Sequence, residues 1–372
     1  MNGPDQRGAI GFAERVLELL DEGRFTATYK YAVLLALTDV CLERTQSSGA
    51  PPDVVTTRQL ADRIVEIYWP HTVPFAGWAE AAVLKQNNRG QAEIISEITK
   101  FRARYATDAS APRYHARLSA PDAYEALVRR VEWKLIEMPL PLLQVMGKVR
   151  TEFIYEIAWD QRVARRDVAR YQVDASSTFD NRLFLRSGVG EYLLQLNGLL
   201  RPLIQRRWSA MVAQLNRLEE SQLEDFLFGI NRTPTTKIRI GLWEMQSRRC
   251  FYCDRAIREP VQGQVDHFIP WSRYPDDGLD NLVVADQRCN GSKSSSLAAS
   301  EHLARWSRRF REHSTEYAQL ADLVDQSSWE RHADQSLGVA RAIYLRLPGD
   351  AKLWRQGQEF VAPDPVIIAA AL

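Results

Sequence analysis

Along most of the chain, apolar side chains recur at three- and four-residue intervals between short breaker-rich joints, the pattern of a helical protein. Residues 9–22 place Ile10, Phe12, Val16, Leu17, Leu19 and Leu20 on a helical repeat that closes at Glu22-Gly23. Residues 28–44 are apolar almost all round through their middle, so this helix is expected at the centre of a core. QSSGAPPD, 46–53, is a loop, and Thr56 caps a third helix over 56–69 that Pro70 closes. A fourth is expected over 90–105, another over 124–138 before Pro139 and Pro141, and one or two over 189–217, where Pro202 marks a kink or a new start. TEFIYEIAWD, 151–160, is rich in β-branched and aromatic residues and reads as strand. The short apolar LEDFLFG, 223–229, is expected to dock on the module that follows, and 238–250 reads as a helix ending on Arg248 and Arg249.

At Cys250 the pattern changes. CFYCDRAIREPVQGQVDHFIPWSRYPDDGLDNLVVADQRCNGSK, 250–293, holds a paired-cysteine knuckle, an Asp-His dipeptide ending an apolar strand, and two asparagines, the second opening a helix. Phosphodiester hydrolysis needs a water deprotonated near neutral pH and a metal that holds the charge building on the phosphate. His267 is the candidate base, since imidazole titrates nearest the working pH. Asp266 and Asn290 offer hard oxygens suited to Mg2+ or Mn2+. Neighbouring strand residues face opposite ways, so Asp266 and His267 share a site only where the strand ends; Pro270 and the loop 271–280 supply that turn.

These residues resemble the HNH endonuclease, or ββα-metal, family. The resemblance implies that Asp266 and Asn290 are metal ligands, His267 the general base, Asn281 the residue that steadies the loop holding the base, and Lys293 a phosphate contact. His267 to Asn281 is 14 positions and Asn281 to Asn290 is 9, a spacing similar to the HNH nucleases of RNA-guided DNA cleavage enzymes. Zinc-bearing members use two Cys-x-x-Cys pairs. Here Cys250 and Cys253 are followed by Asp286 and Cys289, so the resemblance implies a structural Zn2+ held by three thiolates and one carboxylate, with a metal-free knuckle of reduced cysteines as the alternative. A helical front with such a module near the end is also similar to prokaryotic restriction and anti-phage defence nucleases. That likeness implies DNA as partner, other defence-system proteins beside it, and a monomer or homodimer.

Composition adjusts this picture only locally. The 372 residues carry a formal charge of +1, which advertises no polyanion, yet 231–315 hold 14 Lys/Arg against 10 Asp/Glu, a net +4. Arg248 and Arg249, and Arg305, Arg308 and Arg309 on a following helix, are the candidate DNA contacts, with Leu303, Trp306 and Phe310 on another face. His302 and His313 are expected to be exposed. Three of the four cysteines lie in the motif and Cys41 is remote, which gives no disulfide framework and points to a reducing, cytoplasmic setting. No apolar run approaches the roughly 18 residues that span a bilayer. The N-terminus lacks the pattern of a signal peptide.

The expected fold is mainly α with a small α+β module: a helical domain over 1–106, a helical middle region with short strands over 107–230, an HNH nuclease domain over 231–315, and a helical tail over 316–372. In the first, Tyr29, Lys30, Tyr31, Tyr68, Trp69, Lys85, Gln86 and Asn87 mix groups that stack on bases and grip phosphates, although core packing accounts for each singly. The expected activity is metal-dependent DNA cleavage. An RNA-cleaving toxin or processing enzyme, and a binding module with a degenerate site, are the alternatives.

Overall fold

In the computed structural model, which describes residues 6–22, 26–76, 82–108, 111–147, 149–174, 177–229, 236–312 and 330–372, the periodic stretches form helices and the strands form small antiparallel sheets. Mainly α with small β modules is therefore the architecture, as the periodicity predicts. The chain divides into two compact units: Met1–Cys41 with Pro51–Asn231, and Leu42–Ala50 with Arg232–Leu372. Among the described residues no helix is long and apolar enough to cross a membrane.

The first unit holds α1 (Gln6–Glu22), all but the last two residues of α2 (Tyr29–Glu43), α3 (Thr57–Tyr68), α4 (Glu93–Tyr105), α5 (Arg113–Ser119), α6 (Pro121–Glu137), α7 (Pro139–Leu142), α8 (Arg165–Val173), α9 (Val189–Asn216) and α10 (Leu223–Phe228). Its strands are β1 (Val54–Thr56), β2 (Val145–Met146), β3 (Val149–Arg150), β4 (Tyr155–Ile157) and β5 (Arg182–Leu185); β5 lies between β1 and β4. Thr56 starts α3 with a capping box: its hydroxyl accepts from Gln59 N at 3.2 Å and the Gln59 side chain accepts from Thr56 N at 2.8 Å. Every residue from Tyr29 to Leu42 is buried, as the all-round apolar pattern of α2 requires. The one carboxylate in that stretch, Asp39, is matched by Arg63 Nε of α3 at 2.8 Å and by the Arg201 guanidinium of α9, so the buried charge is paired.

Tyr29, Lys30, Tyr31, Tyr68, Trp69 and Gln86 are buried in this unit, so packing rather than ligand contact is their role; Lys85 is exposed. α10, expected on the nuclease module, instead packs along α9 within the first unit, because Leu223 and Leu227 face its core. There Leu227 O meets His71 Nε2 at 2.9 Å, while Gln86 Nε2 lies 3.1 Å from His71 Nδ1. Trp208 Nε1 can only donate, and it does so to Gln86 Oε1 at 2.8 Å, which turns the Gln86 amide N–H toward His71. The imidazole is therefore neutral, with its proton on Nε2.

Burial pushes His71 from 6.5 down to about 4. The unfolded chain binds this proton below about pH 6.5 and the folded chain does not, so stability is whole above 6.5 and falls between 6.5 and 4. About 3 kcal/mol is lost across that window. Urea unfolding at pH 7 and pH 4.5 checks it: His71→Asn is expected to show a shallower pH dependence than the parent by about that amount.

The second unit holds α11 (Thr236–Met245), β6 (Gly263–His267), β7 (Leu282–Asp286), α12 (Gln287–Lys293), α13 (Ser300–Glu312), α14 (Ala333–Tyr344), β8 (Leu353–Gln356), β9 (Glu359–Val361) and α15 (Pro365–Ala371). β6 and β7 pair antiparallel from Gly263 opposite Asp286 to His267 opposite Leu282, and α12 follows at once, giving a ββα hairpin-and-helix. Phe268 stacks on Trp306 of α13 with ring centres 4.7 Å apart, fixing α13 against the hairpin. The chain's apolar end forms α15, which Asp364 caps and which packs on α13. The helix expected at the start of the tail and His313 lie outside the described residues.

Three expectations are corrected here. The helix over 238–250 stops at Met245, because Ser247 and Arg248 take left-handed backbone at φ 54° and 62° and turn the chain into the knuckle. Arg309 is buried rather than part of an exposed stripe: its guanidinium lies 5.7 Å from the centre of the Phe251 ring and its Nη2 donates to Leu282 O at 2.9 Å. That burial pushes it down to about 9. His302 is buried too, between the rings of Tyr252 and Trp354, with Nε2 2.8 Å from Arg355 O.

Candidate active site and metal centre

Strand alternation puts Gln264 and Asp266 on one face of β6. Asn290, one turn into α12, donates from Nδ2 to Gln264 Oε1 at 2.6 Å, which brings it to that same face. Lys293, three residues on, donates from Nζ to Asp266 Oδ2 at 3.0 Å and to His267 O at 2.8 Å. The short helix thus delivers Asn290 and Lys293 together onto the end of the strand. Lys293 is fully buried, so the expected phosphate contact is replaced by an internal one: its ammonium braces the Asp-His corner.

Asp266 is buried and holds a second donor on the same oxygen, the Tyr252 hydroxyl at 2.5 Å. Burial and the adjacent Asp266 carboxylate raise the Tyr252 phenol well above its ordinary value, so it keeps its proton and donates. Both bonds fall on Oδ2. Oδ1 of Asp266, like Oδ1 of Asn290, has no partner among the described residues, and each residue offers one hard oxygen on one face of the hairpin. That donor set fits a divalent cation that completes its shell with water.

His267 ends β6, and its Nε2 lies 2.8 Å from Asp277 Oδ1, with the Trp271 ring edge-on at 5.5 Å. A carboxylate accepts, so the nitrogen facing it carries the proton and Nδ1 is left as the acceptor. Asn281 ties the corner from below. Its Oδ1 accepts from Ile269 N at 2.8 Å, its Nδ2 donates to Ile269 O and Asp276 O at 3.1 Å, and its own carbonyl accepts from Phe268 N at 2.7 Å. The loop from 268 to 276 is thus pinned at both ends by one side chain.

Cys250, Cys253, Asp286 and Cys289 converge, with their ligand atoms all within 4.8 Å of one another. Tetrahedral ligands about 2.3 Å from one zinc stand about 3.8 Å apart, so the set needs only a small inward adjustment. Asp286 divides its carboxylate: Oδ1 accepts from Arg288 N at 2.9 Å and Cys289 N at 3.0 Å as the cap of α12, and Oδ2 lies 3.0 Å from Cys253 Sγ. Burial works to raise Asp286, but the Cys253 thiol and the Cys289 amide hold it well below the usual carboxylate range. The Cys289 thiol and nearby amides bring Cys250 down to about 7, whereas burial pushes Cys253 up to about 11. The chemistry of this set suits a metal such as zinc.

Of the candidate DNA contacts, Arg248, Arg249, Arg305 and Arg308 are exposed. Arg248 lies over the Trp243 ring at 4.9 Å, Arg249 Nη1 donates to Asp254 O at 2.8 Å, and Arg305 Nη1 donates to Phe251 O at 2.6 Å. Arg249 and Arg305 are thereby pinned to the knuckle. Sequence reasoning missed Tyr252, Gln264 and Asp277. Tyr252 reads as an ordinary apolar residue between two cysteines, and nothing separates Asp277 from Asp276 and Asp280 in PDDGLD except where each side chain turns. Asp276 caps the turn at Gly278 N, and Asp280 accepts from His332 N.

Residues 250–299 match the HNH endonuclease family, and residues 10–227 match a domain of unknown function (DUF8808). No curated protein matches the chain.

Proposed function

We propose that this chain, which belongs to the DUF8808 family and carries an HNH endonuclease domain, is a metal-dependent endonuclease that hydrolyses DNA phosphodiester bonds. The observation that supports this reading is the corner of the ββα unit: His267, the last residue of β6, has one ring nitrogen committed to Asp277, and Asp266 and Asn290, on the β6 face that Gln264 shares, each keep one oxygen unbonded among the described residues. His267 Nδ1 takes a proton from water, whose oxygen bonds to phosphorus in line as the P–O bond to the 3′ oxygen breaks, and that departing oxygen takes a proton from solvent. Asp277 holds the ring in the tautomer that makes Nδ1 the acceptor, and Asn281 keeps the loop from swinging the ring away. A divalent cation such as Mg2+ or Mn2+, held by Asp266 and Asn290, would supply neutralising charge to the phosphate. Lys293 positions Asp266 from inside the fold. Arg248, Arg249, Arg305 and Arg308, all exposed, would contact backbone phosphates. Zinc in the knuckle would be structural.

One site of this kind cuts one strand. Purified protein with Mg2+ is expected to convert supercoiled plasmid to open circles before linear product appears, and to leave tRNA intact. Cleavage of tRNA alone would replace this reading with the RNA-cleaving one, and intact plasmid, single-stranded DNA and tRNA under both Mg2+ and Mn2+ would remove it. Cleavage that differs between modified and unmodified plasmid would support a role in restriction or phage defence.

A further inference from the structure

We propose that Tyr252 is a positioning residue through which the cysteine knuckle sets the cation affinity of Asp266. The inference rests on the nuclease reading above and deepens it. Tyr252 sits between Phe251 and Cys253 in the knuckle, so its backbone is placed by the turn that brings Cys250 and Cys253 together. Its side chain is buried, with the Trp354 ring 5.1 Å away, the His302 ring 5.3 Å away and the Phe251 ring 5.1 Å away, which leaves the phenol one direction. That direction ends on Asp266 Oδ2 at 2.5 Å.

The consequence lies in how a carboxylate divides its two oxygens. With the phenol and the Lys293 ammonium both on Oδ2, the group cannot turn, and Oδ1 is presented as a single-point ligand. Without the phenol, Oδ2 keeps only the Lys293 ammonium, a single point of attachment about which the carboxylate can turn, and Oδ1 is no longer held in one direction. Outer partners of this kind typically change metal affinity by about 10- to 100-fold. Because the knuckle turn fixes the phenol, and the same four-residue cluster caps α12 on which Asn290 sits, both cation ligands are held by the knuckle. Occupancy of the knuckle and affinity at the hairpin are then linked quantities.

Tyr252→Phe tests this, since it keeps the ring and its packing and removes only the donor. Calorimetric titration of the full chain with Mn2+ is expected to give a Kd about 10-fold weaker than the parent. Zinc content and unfolding midpoint should stay unchanged, and cleavage should be restored at high Mg2+. An unchanged Mn2+ Kd overturns the proposal while leaving the nuclease reading standing. Loss of zinc or of the folded state in Tyr252→Phe overturns it in favour of plain packing. If the parent shows no Mn2+ site that Asp266→Ala abolishes, the nuclease reading falls and this inference with it.

Discussion

Replacing His267 with alanine is expected to slow phosphodiester cleavage by about 100- to 10,000-fold, the range that a positioned proton acceptor contributes. The fold should survive. The ring ends a strand, is partly exposed, and makes its contacts to Asp277 and Trp271 at the surface of the hairpin. The corner beneath is held by backbone and by other side chains: Lys293 bonds the His267 carbonyl, which alanine retains, and Asn281 bonds Ile269. Initial rates of plasmid nicking at fixed Mg2+, set beside circular dichroism and an unfolding curve, separate the two effects. Nicking at the parental rate would remove His267 as the base.

Chelating the knuckle metal, or replacing Cys289 with alanine, is expected to destabilise the ββα unit by several kcal/mol or more, since structural zinc in small domains contributes about 10–16 kcal/mol. The cluster joins three separate pieces: the 250–253 turn, the end of β7 and the start of α12. Losing it frees the 250–253 turn from the end of β7 and the start of α12, so the still-capped helix that carries Asn290 and Lys293 loses its anchorage to the turn, and cleavage should fail with it. Zinc content by atomic absorption, followed by unfolding curves with and without chelator, reads this directly. A chain that purifies without zinc and unfolds identically in chelator would show that three reduced cysteines and a carboxylate pack there unaided.

Much of this molecule was legible before any coordinates. Apolar spacing marks α1, α3, α4, α6 and α9, because each must bury a face and the repeat of that face is written in the sequence, and α2 is marked instead by being apolar all round. The hairpin corner was legible because its chemistry needs rare residue types at fixed separations. Direction was not. Lys293 looks like a free cation on a helix, yet it occupies the last turn of a seven-residue helix lying on the strand and points inward. Arg309 follows Arg305 by four positions and should share its exposure, but it sits at the border of the buried face, where Phe251 and Leu282 O draw it in. The apolar pattern overruns the helix before the knuckle because the left-handed positions, Ser247 and Arg248, are neither glycine nor asparagine and announce no turn. Tyr252 and Asp277 are legible only from contacts made across the fold.

Asp286 gives the knuckle a property that a fourth cysteine would not. A thiolate there would grip zinc harder but would offer the first amides of α12 only one weak acceptor, shared with the metal. The carboxylate serves the helix with one oxygen and faces the cysteines with the other. When the ion departs, the start of α12 keeps its cap, so the scaffold under Asn290 waits part-assembled for refilling. Were zinc to bind and leave such a centre, the helix would not have to nucleate afresh each time.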